Sequence, residues 1–76
     1  MGEVLKKNVF IDTEYITLGQ LLKEEDVVSS GGQAKWYLKD HAVKLNDEPE
    51  DRRGKKLYDG DNVEVIDVGL FFIRKK

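Results

Sequence analysis

The sequence contains no cysteine, so neither disulfide bridges nor thiolate metal sites can hold its fold together, and a reducing compartment suits it. It has no long hydrophobic run: the longest, Leu70-Phe71-Phe72-Ile73, is far below the ~20 residues a membrane span requires. Met1-Gly2-Glu3 opens no secretory signal, and a cytoplasmic location is expected. Length is also short. Seventy-six residues make one domain rather than two, and a chain of this size buries only roughly 60% of the surface its unfolded form exposes. One thin core and no deep substrate cavity are expected. The surplus of positive charge usual in nucleic-acid-binding domains is missing too, with 13 Lys and Arg against 15 Asp and Glu for a net charge of −2. That small net charge, beside 39% apolar residues, still places the chain among sequences that fold. No internal repeat, linker or low-complexity tract divides it.

The charge is unevenly distributed. Residues 12–26 carry Asp12, Glu14, Glu24, Glu25 and Asp26 against Lys23 alone, and residues 57–67 carry Asp59, Asp61, Glu64 and Asp67 with no base. Between them, residues 27–56 hold Lys35, Lys39, Lys44, Arg52, Arg53, Lys55 and Lys56 against Asp40, Asp47, Glu48, Glu50 and Asp51. A basic segment between two acidic ones is either a solvated surface of mixed charge or a face for a polyanion.

Local patterns predict an α+β chain. Val9 and Ile11 lie in a short strand near Asn8–Ile11, preceded by a frayed start. Thr17 and Gln20 have capping-box spacing, and Ile16 and Leu21 that of a hydrophobic staple, so a helix begins at Thr17, buries Leu18, Leu21 and Leu22, and ends near Glu25 or Asp26. Ser30 and Gln33 repeat the grammar for a second helix. Ala34, Tyr37, Leu38 and His41 fall on one of its faces, Lys35 and Lys39 form a basic stripe, and Trp36 belongs cleanly to neither. Val43 and Leu45 alternate with Lys44 and Asn46 as in a half-buried strand, followed by a turn at Asn46-Asp47. Pro49 cannot donate to a ladder, which makes residues 47–54 loop or sheet edge. Leu57-Tyr58 reads as a strand, Asp59-Gly60-Asp61 as a turn, and Val63–Val68 as a strand that Gly69 breaks or bulges. Leu70–Ile73 is a last strand before the solvated tail Arg74-Lys75-Lys76.

Catalysis finds little support. His41 ends a helix, where the dipole favours a cation, and has no cysteine or second histidine with which to share a metal. Glu24-Glu25 point apart on a helix, and Asp59/Asp61 are ordinary turn residues. Gly31-Gly32 lacks the lysine and hydroxyl of a nucleotide-binding phosphate loop. Two glycines in the first turn of a helix either let backbone N–H groups approach a phosphate or serve as a hinge between packed helices. Lys35 lies one turn further on, and Lys44, Arg52, Arg53, Lys55 and Lys56 add positive charge, the arginines as planar forks and the lysines as point charges. Trp36 or Tyr37 offers a stacking surface for an unpaired base, or packs in the core.

Four segments together resemble the RNA-binding domain first known in small-subunit ribosomal protein S-four: residues 16–23 (Ile-Thr-Leu-Gly-Gln-Leu-Leu-Lys), residues 30–35 (Ser-Gly-Gly-Gln-Ala-Lys), residues 43–47 (Val-Lys-Leu-Asn-Asp) and residues 60–63 (Gly-Asp-Asn-Val). Within that family the chain looks most like the small stand-alone YaaA-type proteins, which share Ser-Gly-Gly-x-Ala-Lys-Trp, here residues 30–36, and Asn-Asp-Glu-Pro, here residues 46–49. The resemblance implies the alpha-L motif: two short packed helices followed by a small, mostly antiparallel curved β-sheet. It implies a single RNA-binding domain over residues 1–76, with a family-like core at about 16–66 and frayed residues 1–7 and 74–76. Where the family commonly has arginine after the helix-opening serine, this chain has Gly31 and Gly32. His41 replaces a glycine at the helix end, Asp47 replaces the glycine of an Asn-Gly turn, and Glu48, Glu50 and Asp51 dilute the basic loop. The implied RNA face comprises Ser30, Gly31, Gly32, Gln33, Lys35, Trp36, Lys39, Lys44, Arg52, Arg53, Lys55 and Lys56.

The expected function is therefore a non-enzymatic module that binds ribosomal or other structured RNA, in the context of ribosome assembly or the ribosomal particle. No cofactor, metal, membrane or small-molecule substrate is expected. A protein-interaction adaptor using the acidic stretches is the alternative. A ubiquitin-like sulfur carrier is disfavoured, because such chains need a terminal Gly-Gly and this one ends Ile73-Arg74-Lys75-Lys76.

Overall fold

Thr17 and Gln20 form the reciprocal cap that their spacing predicts. In the computed structural model, which describes residues 5–41 and 43–76, Thr17 Oγ1 accepts from the Gln20 amide at 3.2 Å and Gln20 Oε1 accepts from the Thr17 amide at 2.9 Å. Helix α1 (Leu18–Glu24) follows and buries Leu18, Leu21 and Leu22 completely. A cap of this kind stabilises a helix by about 1 kcal/mol. Seven residues are too few for a helix to persist by itself, so the buried leucines hold α1 in place.

Helix α2 (Gly31–Asp40) is capped by Ser30, whose Oγ accepts from the Gln33 amide at 3.2 Å. The Gln33 side chain departs from the expected box and accepts from the Ser29 amide at 2.6 Å. The cap thus reaches one residue further back, fixing the approach to the helix as well as its start. Ala34 and Leu38 are buried and Tyr37 is half-buried.

The strands are β1 (Leu5–Ile11), β2 (Ile16–Thr17), β3 (Val43–Leu45), β4 (Glu48–Pro49), β5 (Lys56–Leu57), β6 (Asn62–Val65) and β7 (Gly69–Lys75). Among the described residues, five build one sheet in the order β1-β7-β6-β3-β4, while β2 and β5 form a separate antiparallel ladder. The sheet is antiparallel except where β1 runs parallel to β7. Period-two alternation turns Val9, Ile11, Val43, Val63, Val65, Phe71 and Ile73 to one face, where they form a single cluster with the leucines of α1 and with Ala34 and Leu38 of α2. Two helices on a mixed sheet is the expected α+β architecture.

Several boundaries differ from the sequence reading. Leu5–Lys7 and Arg74-Lys75 are not frayed: β1 and β7 pair in register from Leu5↔Gly69 to Ile11↔Lys75, and the Lys76 amide donates to Ile11 O at 2.8 Å. The fraying expected for residues 1–4 lies outside the described residues. Two strands precede the helices, so the sheet does not simply follow them. The strand expected over Val63–Val68 stops at Val65, because Asp67 adopts a left-handed φ of 67° and Val68 N–H returns to Val65 O. Ile66 and Val68 accordingly stand exposed in a hairpin turn. Gly69 opens β7 instead of breaking a strand, and β5 sits one residue earlier than Leu57-Tyr58. Asn46 and Asp47, at φ 52° and 70°, make the two-residue hairpin loop between β3 and β4, and Asp tolerates that conformation where glycine is commoner.

Gly69 permits the close approach of β1 and β7. A Cβ there would stand 2.7 Å from Leu5 O and 2.8 Å from Leu5 Cβ, inside any tolerable contact. Gly69→Ala should therefore destabilise the chain by about 1–3 kcal/mol. Urea denaturation checks this; the midpoint falls with an unchanged slope, and an unmoved midpoint would mean that β1 yields without cost.

Candidate nucleic-acid interface

A helix start leaves backbone N–H groups without intrahelical partners. At α1, the Leu18 amide donates to Lys55 O at 2.9 Å and the Gly19 amide donates to Arg53 O at 2.8 Å. The connection between β4 and β5 is thereby strapped across the end of α1 by its own carbonyls. Gly19 makes room for the strap: a Cβ at that position would meet Arg53 O at 3.2 Å, Arg53 Cβ at 3.3 Å and Ala34 Cβ of α2 at 3.8 Å. A turn closes the strap, with the Lys55 amide donating to Arg52 O at 3.1 Å. Since the carbonyls face the helix, Arg53 stands exposed and Lys55 half-buried.

The strap also reaches α2. Arg53 Nη1 donates to Gly31 O at 2.8 Å, joining the basic loop to the first turn of the second helix. Gly31 has no neighbouring atom within 4 Å of a notional Cβ, and Gly32 has only Ser30 Oγ at 4.0 Å. Ser30 takes the Gln33 and Ala34 amides, while those of Gly31 and Gly32 have no partner among the described residues. Ser30, Gly31, Gly32, Gln33 and Arg53 thus share one exposed patch at the positive end of a ten-residue helix. From it a stripe of exposed Lys35, Trp36 and Lys39 runs along α2. Trp36 is 62% exposed, with Lys39 Nζ 4.8 Å and Lys35 Nζ 5.9 Å from its ring centroid. Tyr37 takes the core-facing side, its ring 4.3 Å from that of exposed His41. Partial burial, and secondarily the charge of Asp67, push its phenol above the ordinary pKa.

Three of the basic residues stand differently. Arg52 is turned aside by Glu50: its Nε and Nη2 donate to Glu50 Oε2 and Oε1 at 2.9 and 3.4 Å. The Glu50 side chain is only 10% exposed against 69% for Arg52. The side-chain hydrogen bond from Arg52 holds the Glu50 carboxyl below the ordinary glutamate range despite the opposing cost of burial, helped by the Arg52 amide and the charges of Arg52 and Lys55. Lys44 lies on β3 opposite Glu64, on the sheet face turned away from the core, and is not brought to the patch. Lys56 leans over the ring of Tyr15 at 4.8 Å, beside Tyr58. Tyr15 and Tyr58 were missed by sequence reasoning, and Glu50 entered it only as one of three acidic residues diluting the basic loop. Alternation through Lys56-Leu57-Tyr58 was the available signal for Tyr58, whereas Glu50 gave none beyond its charge.

Chemically, the patch offers free backbone donors, a fixed guanidinium and lysine heads, a set suited to phosphate oxygens. Three acidic residues have structural tasks within the fold. Glu25 accepts from Lys7 Nζ at 2.8 Å, Asp61 from the Tyr58 amide at 2.8 Å and Asp59 from the Lys75 amide at 2.8 Å.

The family described as an S4 domain matches residues 9–73, a span that takes in the end of β1 and most of β7 beyond the expected core of about 16–66. The chain is also 60% identical over 63 residues to the probable ribosome maturation protein RlbA of Bacillus subtilis (strain 168), an alignment covering 83% of this chain and 89% of that protein.

The clamp on Arg52 has a pH signature. A carboxyl with a lowered folded pKa contributes stability that is complete above its unfolded value, about 4.3, and is lost as pH falls through the folded value. Wild type should lose stability in acid more steeply than Glu50→Gln, as read from urea midpoints between about pH 2 and about pH 6. Parallel profiles would contradict the clamp.

Proposed function

This chain belongs to the S4-domain family, and from that premise we propose that it is a non-enzymatic module that binds structured RNA and acts in ribosome maturation. The observation that carries the reading is the bond from Arg53 to Gly31 O, which joins the open first turn of α2 to the basic strap in one exposed surface whose donors suit phosphate. Ribosomal RNA, free or in a ribosomal particle, is the proposed partner, and the cytoplasm the proposed place. The resemblance in sequence to a probable ribosome maturation protein supports that choice. No helix among the described residues is long and apolar enough to cross a membrane.

In this mechanism the Gly31 and Gly32 amides take one phosphate, Arg53 and Lys35 flank it, and Lys39 and Lys55 engage the neighbouring backbone. The engagement of Glu25, Asp59 and Asp61 within the fold favours this over an adaptor working through acidic faces. If ~4 phosphates are neutralised, log affinity falls against log salt with a slope of about −3 to −4. A salt series with labelled ribosomal RNA tests this, together with a variant carrying Lys35→Glu, Arg53→Glu and Lys55→Glu whose fold is verified by circular dichroism. Wild type should show the slope and the variant should lose binding. A flat response, or equal binding by the folded variant, would overturn the mechanism.

A further inference from the structure

The β2–β5 ladder carries a surface that the phosphate patch does not use. Its register sets Ile16 against Leu57, and both are buried. Strand alternation therefore turns the neighbouring residues Tyr15, Lys56 and Tyr58 outward. Tyr15 is 38% and Tyr58 44% exposed; their ring centroids lie 5.8 Å apart with planes inclined at 52°. Lys56 Nζ covers Tyr15, so Tyr58 keeps the freer ring. The main chain beneath Tyr58 is braced twice, its amide donating to Asp61 Oδ2 at 2.8 Å and its carbonyl accepting from the Asp61 amide at 3.0 Å. Tyr58 also lines an open cavity of about 390 Å³, together with Arg52, Gly54, Lys55 and Lys56.

Its lining combines one aromatic residue with three cationic ones, and Gly54 adds no side chain. Aromatic rings beside positive charge are how proteins hold unpaired nucleotides, because every base has a face to stack and every nucleotide a phosphate to neutralise. The volume lies at the small end of ligand pockets, about 300–1,000 Å³, as one nucleotide needs. Resting on the RNA-binding reading above, we infer that this cavity is a subsite for a single unpaired RNA nucleotide, whose base stacks on Tyr58 and whose phosphate meets Lys56. Tyr15 supports the Tyr58 ring edge and positions Lys56. The target is thus paired RNA interrupted by a loop or bulge, with the helical backbone on the α2 patch and the unpaired nucleotide at Tyr58.

Two labelled RNAs of equal length test the inference: a hairpin with an unpaired loop and a continuous duplex. Wild type should prefer the looped RNA by about tenfold, Tyr58→Ala should remove that preference without altering duplex affinity or salt slope, and Tyr58→Phe should retain it. Circular dichroism confirms that each variant is folded. Equal binding of both RNAs by wild type, or an equal loss on both in Tyr58→Ala, would overturn the subsite and leave the phosphate patch standing. Failure of wild type to bind either RNA would overturn the RNA-binding reading with it.

Discussion

The amino-terminal end of α1 governs both the fold and the exposed basic surface. Leu18 and Gly19 are buried, so their amides must find partners inside the protein, and the partners are Lys55 O and Arg53 O. Lifting the strap would orphan two buried donors, each costing about 1–3 kcal/mol. The same constraint sorts the loop by charge. Carbonyl oxygens suit the positive end of a helix and cationic heads do not, so the backbone turns toward α1 while the charged ends face water. Through Arg53 and Gly31 O the strap then fixes the start of α2 relative to α1, and Ala34 closes the contact from the other side. One crowded junction accordingly positions the glycine-rich helix start, the guanidinium and the lysines.

An acidic chain can bind a polyanion when its negative groups are occupied elsewhere. Asp59 and Asp61 stitch the turn between β5 and β6 to its surroundings, and Glu25 ties the end of α1 to Lys7 of β1. Within the basic loop, Glu50 withholds Arg52 by a two-bonded ion pair. Arg53 has its guanidinium on a backbone carbonyl and no carboxylate partner among the described residues.

Local rules were legible in the sequence and long-range pairings were not. The caps at Thr17 and Ser30, the buried faces Leu18/Leu21/Leu22 and Ala34/Leu38, and the Asn46-Asp47 turn all depend on residues within a turn or two of one another. The parallel pairing of β1 with β7 joins residues more than sixty positions apart, and no local pattern announces it. Arg74 and Lys75 consequently read as a solvated tail, when the ladder needs only their backbone. Gly69 signalled a break because its close neighbour, Leu5, lies at the other end of the described chain. In the site, the α2 stripe followed from helical spacing, whereas the removal of Lys44 to the outer sheet face required the register of β3 against β6. Tyr15 and Tyr58 come together only because β2 meets β5.

The central claim is that one surface, built at the junction of α1, α2 and the strap, receives the RNA. Titrating the isotope-labelled chain with ribosomal RNA while following its backbone amide resonances tests it most directly. The account predicts that shifts concentrate at residues 30–39 and 52–58 and spare the outer sheet face around Phe10 and Phe72. Shifts confined to that outer face, with Gly31, Gly32 and Arg53 unmoved, would contradict it.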